Sequence, residues 1–396
     1  MTGAKFCARG QQICTTYRIG DFCINQNFFV MLRAVSVFAI LAVCAHSLSA
    51  QIIPFDSSAW NIEAATHQIM DYRGEQALFI KGGAAVLNAP AFTNGEIEFD
   101  IAFSGERTFT GVRWRITGPG NWEEFYFRPH LSGMPDANQY TPVNNGFAGW
   151  QLYHGPQFSA PIRYRNNEWQ HVRVVFRDDL ADIYVDSEEP VLTVDLMRAV
   201  EPGSIAVYAG GLAPTYFANF EYRADDAVAV VGTPKPREAA GAGTVTSWMV
   251  SNPFVESSLE GLTPLPEVVN ELTWQNVDAD VAGITNLAGV SALAEGQNTV
   301  FAKVNVRTDS VRTEIVRFGY SDRVRVYLNG TLLYSGSNRY VSRDYRYLGT
   351  IGLFDELPLA LNAGDNELLF AVSEDFGGWG IMAQFASPDR VTVGSE

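Results

Sequence analysis

Past Gln51 the chain reads as short runs in which apolar and polar residues alternate. These runs are rich in Val, Ile, Phe, Tyr and Trp and are separated by Gly, Pro, Asn and Asp. A period of two sends successive side chains to opposite faces, so the runs predict β-strands half-buried against a core. GEIEFDIAFSG sets Ile97, Phe99, Ile101 and Phe103 on one face. TGVRWRITG turns Val112, Trp114 and Ile116 inward and Arg113 and Arg115 outward. QHVRVVFRDDLADIYVDSEEPVLTVDL reads as strand, turn, strand, turn, strand. Helical periodicity is scarce, and only Ala279–Leu293 leaves room for a short helix or two. The predicted class is all-β, built of sandwiches.

Alternation stops from Ala224 to Gly243, where ADDAVAVVGTPKPREAAGAG concentrates Ala, Gly, Pro and charge. Such composition reads as a linker. Two β-sandwich domains are therefore predicted, at residues 51–225 and 244–390, joined by a Pro/Gly/Ala linker at 226–243 that few contacts cross. The second contains VRVYLNGTLLYSG, whose Asn329-Gly330 predicts a tight hairpin.

The 396 residues include 44 Asp+Glu against 28 Lys+Arg, a net charge of -16. With no basic stripe, that balance makes nucleic acid and anionic membrane surfaces poor partners and favours neutral or cationic ones. All four cysteines, Cys7, Cys14, Cys23 and Cys44, lie within the first 50 residues. From Met31 that region reads MLRAVSVFAILAVCAHSLSAQ, with one Arg, an apolar run from Ala34 to Ala45 and small residues at Ser47, Ser49 and Ala50. This predicts a leader at 1–50 with a cleaved signal peptide starting at Met31. The apolar run is shorter than the about 20 residues of a transmembrane helix, so no membrane span is expected in the mature chain. The expected location is secreted, periplasmic or cell surface, and the exported chain would have no cysteine for a disulfide.

NEWQHVRVVF, DLADIYVDSEEPVL, GSIAVYAG and YFANFEYR give the region from Phe55 to Arg223 its family character. It resembles the concanavalin A-like lectin/glucanase superfamily, in its laminin-G-like and 3-keto-disaccharide hydrolase (family 16 glycoside hydrolase-like) branches. RVYLNGTLLYSG and LALNAGDNELLFAVSEDFGGWG resemble the galactose-binding-like jelly rolls that accompany glycosidases. The resemblance implies two jelly-roll sandwiches and a carbohydrate-related role, on folds that host lectins, hydrolases and adhesion modules alike.

Arg113 through Tyr153 is the stretch richest in chemistry. EEFYFRPH alternates Phe125 and Phe127 on one face with Glu124, Tyr126, Arg128 and His130 on the other, where Arg113 and Arg115 are expected beside them. The following loop adds Asp136, Asn138, Gln139, Tyr140, Trp150, Gln151 and Tyr153. Saccharides take aromatic faces for their C–H surfaces and Arg, Asp, Asn and Gln for their hydroxyls, so these residues form the predicted glycan site. Glu96, Glu98 and Asp100 place three acids on one strand face, as a retaining glycosidase would need. The last acid is one methylene short of the family 16 order Glu, Asp, Glu.

No nucleophile elbow, zinc-protease motif or phosphate loop occurs, and His67, His130, His154 and His171 have no metal-ligand spacing. Calcium is the one cofactor the resemblance allows. Its candidate oxygens are Asp56, Asp186 and Asn219 in the first domain and Glu374 and Asp375 in the second. In SEDFGGWG, Trp379 is read as a core residue rather than a sugar platform. Three functions stay open. The expected one is an exported carbohydrate-binding protein with an accessory second module; the others are a glycoside hydrolase and a surface adhesion protein.

Overall fold

The computed structural model describes residues 52–259, 272–290, 296–339, 341 and 343–394, so the leader and its signal peptide lie outside the described residues. The first alternating region forms β1 (Trp60–Tyr72), β2 (Glu75–Leu87), β3 (Gly95–Phe103), β4 (Thr110–Gly118), β5 (Asn121–Phe127) and β6 (Asn138–Asn144). It continues with β7 (Phe147–Ala148), β8 (Gln170–Arg177), β9 (Leu180–Val185), β10 (Leu192–Asp195), β11 (Ser204–Ala209) and β12 (Thr215–Ala224). These strands join in the order β10-β9-β8-β3-β12-β2-β11-β4-β5-β6-β7, with β1 paired along β2.

The sheet folds over on itself at β2, which both layers share. Leu78 and Ile80 pair with β12, whereas Gly83 to Val86 pair with β11. The bend falls at Gly82, with φ +68°, and at Gly83, where a Cβ would lie 2.1 Å from the Glu63 carbonyl oxygen of β1. Without a side chain at Gly83, β1 can run across the bend at backbone distance. Inward residues of both layers meet in one core: Trp114 of β4 lies 5.9 Å from Phe176 of β8, and Phe103 of β3 lies 5.7 Å from Phe127 of β5. It follows that the outward faces of β3 and of β5 lie on opposite outer surfaces.

The second alternating region forms β13 (Ser247–Ser251), β14 (Trp274–Asp278), β15 (Thr285–Asn286), β16 (Thr299–Thr308), β17 (Arg312–Tyr320) and β18 (Arg323–Leu328). After these come β19 (Thr331–Ser337), β20 (Asp355–Leu361), β21 (Gly364–Ser373), β22 (Gly380–Phe385) and β23 (Thr392–Gly394). One sheet runs β14-β13-β16-β21-β18-β19 with β23 on β16, and the other runs β15-β22-β17-β20. Between them lies a core of Trp248, Phe318, Phe370 and Trp379, so Trp379 is a core residue. The β18–β19 turn has positive φ at both Asn329 (48°) and Gly330 (77°), the geometry that suits a two-residue hairpin. Among the described residues of the stretch expected to leave room for a helix, 279–290, the helical tendency amounts to a 3-10 turn at Leu287–Gly289, capped by Asn286.

The protein is all-β, made of two β-sandwiches, and no helix among the described residues is long and apolar enough to cross a membrane. The segment between the sandwiches is laid against the first one. Val228 packs with Val175 and Tyr184, and the amides of Val231 and Gly232 donate to Asp182 at 2.6 and 3.1 Å. Contact between the sandwiches is also closer than the expected linker implied. Gln151 Oε1 accepts from Ser321 Oγ at 2.7 Å and from the Gly378 amide at 2.9 Å, and Phe147 lies 5.8 Å from the Trp379 ring. Gly349 (φ +57°) and Gly377 (φ +119°) take conformations that side chains rarely adopt, and a Cβ on either would strike the Trp150 ring at 2.9 or 2.8 Å.

Candidate functional site

A cleft of about 260 Å³ opens where the outward face of β4, β5 and β11 meets loops of the second sandwich. Arg107, Phe109, Glu124, Tyr126, Arg128 and Tyr208 line it from the sheet, and Ala148 and Trp150 from the loop after β6. Leu348 and Phe376 close it from the second sandwich. Period two aligns the sheet residues: Gly111 pairs with Tyr126 and with Tyr208, and Arg113 pairs with Glu124. Just before β4 and at its first residue, Thr108 and Thr110 turn inward, their hydroxyls donating to the Ala213 and Tyr208 carbonyls at 3.0 and 2.6 Å. Arg107 and Phe109 are left facing the cleft.

Beneath the cleft lies a buried polar network. Arg128, 1% exposed, ion-pairs with Asp136 through Nη1, and its Nη2 donates to Tyr126 Oη at 2.5 Å and Gln139 Oε1 at 2.6 Å. Gln139 in turn donates to the Trp150 carbonyl at 2.8 Å and to the Tyr153 carbonyl. Asp136 also accepts from the Leu348 amide at 3.0 Å, tying the second sandwich to the same network. Burial pushes the Asp136 carboxyl above its ordinary range, with the Arg128 charge opposing. Burial likewise pushes the Tyr126 hydroxyl up, so it acts as a neutral donor and acceptor.

Glu124 is fully engaged. Arg113 Nε donates to it at 2.7 Å, Trp122 Nε1 at 3.0 Å and Tyr208 Oη at 2.7 Å. Arg113 itself lies between the Trp122 and Tyr208 rings, 4.3 and 3.9 Å from their centroids, behind the cleft wall. A carboxylate held by three donors is poorly placed to give or take a proton.

Of the residues expected at a glycan site, Glu124, Tyr126, Arg128 and Trp150 line the cleft, while Arg113, Asp136 and Gln139 support it from behind. His130 stands at its edge, 5.8 Å from the Phe109 ring. Four others go elsewhere. Arg115 sits at a register shift with φ +48°, which breaks strict alternation; it is 2% exposed and donates to the Thr93 and Asp178 carbonyls at 2.8 and 2.7 Å. Tyr140 faces the core and donates to Glu123 at 2.7 Å. Tyr153 is buried against Phe158. Gln151 serves the junction between the sandwiches rather than the cleft.

The cleft also contains Arg107, Phe109, Tyr208, Leu348 and Phe376, which the sequence reading passed over. The glycines of SEDFGGWG were the available signal for Phe376, because a chain with no Cβ at Gly377 approaches Trp150 closely.

Glu96, Glu98 and Asp100 do share the outward face of β3, on the surface opposite the cleft. Each is already paired. Glu96 meets Arg173 and Arg223 at 3.2 and 2.8 Å, and His171 bridges Asp100 and Glu98 at 2.9 and 3.2 Å. Asp100 and then Glu98 raise His171 to about 10, so it is charged at neutral pH. Because this folded value lies above the ordinary 6.5, the pair's stabilisation is complete below about pH 6.5 and is lost as pH rises towards 10. His171→Gln is therefore expected to flatten the fall in urea midpoint between pH 7 and 10. Equal slopes in wild type and variant would contradict the assignment.

The calcium candidates are used by the fold. Asp56 caps Ser58 and Ala59, Asp186 accepts from the His171 amide and pairs with Arg165, and Asn219 donates to Asp100. Asp375 pairs with Arg323 and Arg339, and Glu374 accepts from Ser321 and the Phe376 amide. Among the described residues no group of three or more His, Cys, Asp or Glu is arranged to hold a metal ion.

No protein-family model and no curated protein matches the chain. Similar solved structures include a carbohydrate binding module from Bacillus subtilis, 15% identical, covering 42% of this chain and 98% of its own, with a TM-score of 0.33. A native glycosidic hydrolase is 17% identical over 45% of this chain and 95% of its own, with a TM-score of 0.34. A β-glucanase from Bacillus licheniformis is 10% identical over 45% of this chain and 98% of its own, with a TM-score of 0.32.

Proposed function

We propose that this protein binds a carbohydrate in the cleft between its two sandwiches without cleaving it. One observation carries the reading: rings from both sandwiches, Phe109, Trp150 and Phe376 among them, surround a cleft whose lining carboxylate, Glu124, is already held by three donors. Aromatic faces serve the C–H surfaces of sugars, and a hydrolase would need two converging carboxyl groups free to act. The volume falls just below the about 300–1,000 Å³ of sites for drug-sized ligands, which suits a short piece of glycan. In this reading the second sandwich is part of the site through Leu348 and Phe376, beyond the accessory role expected for it. The leader starting at Met31 would carry the protein to where glycans are met.

A glycan array run beside a reducing-sugar release assay tests the proposal. Retention of a glycan without release is expected. Release of new reducing ends would replace the binding reading with the hydrolase, and no retention on any glycan would remove both.

A further inference from the structure

We infer that the glycan taken by this cleft is anionic, carrying a carboxylate or sulfate that meets Arg107. The inference rests on the carbohydrate-binding reading and names the class of its ligand. It comes from a charge inventory of the cleft. Three charged side chains line it: Arg107, Glu124 and Arg128. Glu124 is neutralised by Arg113 at 2.7 Å, and Arg128 by Asp136. Arg107 makes no ion pair among the described residues, and its guanidinium lies exposed, 5.8 Å from the Phe109 ring centroid. Its chain neighbour Glu106 turns to Ser104 instead, its amide donating to Ser104 Oγ at 3.3 Å and its carboxylate accepting from that hydroxyl at 3.4 Å. The cleft therefore holds one unbalanced positive charge in a chain whose net charge is -16.

Among the described residues no carboxylate forms an ion pair with Arg107. From the second sandwich, Asp344 is paired with Arg346 and Asp375 with Arg323 and Arg339. His130, beside Phe109, is held below its ordinary 6.5 by burial and then by the Arg107 and Arg128 charges, and its buried Nδ1 has no hydrogen-bond partner. An exposed cation beside aromatic faces, with a planar fork of donors, suits a carboxylate or sulfate carried on a sugar ring. Long-range repulsion from the acidic surface is screened within about 8 Å at physiological salt, so the local charge decides the preference.

The test uses the full chain on an array of neutral, uronate-containing, sialylated and sulfated glycans, which separates the possible sources of the negative charge. The best anionic hit is then titrated beside its methyl ester or desulfated form. The anionic form is expected to bind on the order of tenfold tighter at physiological salt, with the preference shrinking as salt rises further. Arg107→Ala is expected to collapse that preference, and Arg107→Lys to restore part of it. Neutral glycans bound as well as anionic ones, or a preference that survives Arg107→Ala, would overturn the inference while leaving a carbohydrate-binding protein. Failure to retain any glycan would instead overturn the reading beneath it, and the inference with it.

Discussion

Arg128→Ala is expected to lower folding stability by about 3–5 kcal/mol, the usual cost of breaking a buried ion pair from one side. Arg128 looks like a sugar-binding side chain in sequence, yet it is 1% exposed and its guanidinium joins Asp136, Tyr126 and Gln139. Removing it leaves the Asp136 carboxylate buried, with the Leu348 backbone amide as its remaining donor among the described residues. The Asp136 carboxyl is already raised by burial, and loss of the opposing cation raises it further. A carboxyl with a raised folded value favours folding less as pH rises above its unfolded value. The variant's deficit should therefore be larger at pH 7 than at pH 4. Equilibrium urea unfolding at both pH values measures this. The double change Arg128→Met with Asp136→Leu is expected to cost less than the sum of the single changes, because no orphan charge remains. A deficit under about 1 kcal/mol for Arg128→Ala, as for an exposed ion pair, would contradict the buried network.

Trp150→Ala is expected to weaken glycan binding roughly 10- to 70-fold. A sugar covering about 60–100 Å² of ring face at about 25 cal/mol per Å² gains roughly 1.5–2.5 kcal/mol, which converts to that range. Trp150 also fills the space left by Gly349 and Gly377 and meets Phe376 edge-on at 5.8 Å, so its loss should loosen the junction and lower the melting temperature. Phe376→Ala separates the two effects. Phe376 is 41% exposed, so its truncation should reduce affinity with a smaller change in melting. Calorimetric titration of the array's best ligand, with melting curves on both variants, provides the measurement. Unchanged affinity in both variants would mean that the cleft is not the binding site.

The expectation most altered by the structure concerns how the halves meet. Ala, Gly and Pro between 226 and 243 read as a spacer, but Arg237 pairs with Asp280 at 2.6 Å and Val228 packs on the first sandwich. Composition indicates where alternation ends; it does not say whether the segment lies free or along a neighbouring surface. The glycines near Trp150 had the same ambiguity. Gly349 and Gly377 carry no mark in the sequence of their closeness to Trp150, which exists once the second sandwich is in place.

What the sequence by itself determined is the assignment of side chains to faces. Alternation placed Ile97, Phe99 and Ile101 in the core and Glu96, Glu98 and Asp100 outside, and it set Glu124, Tyr126 and Arg128 opposite Phe125 and Phe127, because a strand repeats every two residues whatever surrounds it. What only the tertiary structure decided is what covers each outward face. The outward face of β3 carries paired acids and cations, whereas that of β5 lies under the loop after β6 and the Leu348 and Phe376 loops of the second sandwich, which turns outward residues into a buried network and a cleft wall. Arg115 departs even from its own face, since the bulge that breaks register at β4 depends on pairing with neighbouring strands. Period two is a local property of the backbone, but burial of its polar face requires segments far apart in the chain to meet, and no local pattern records that meeting.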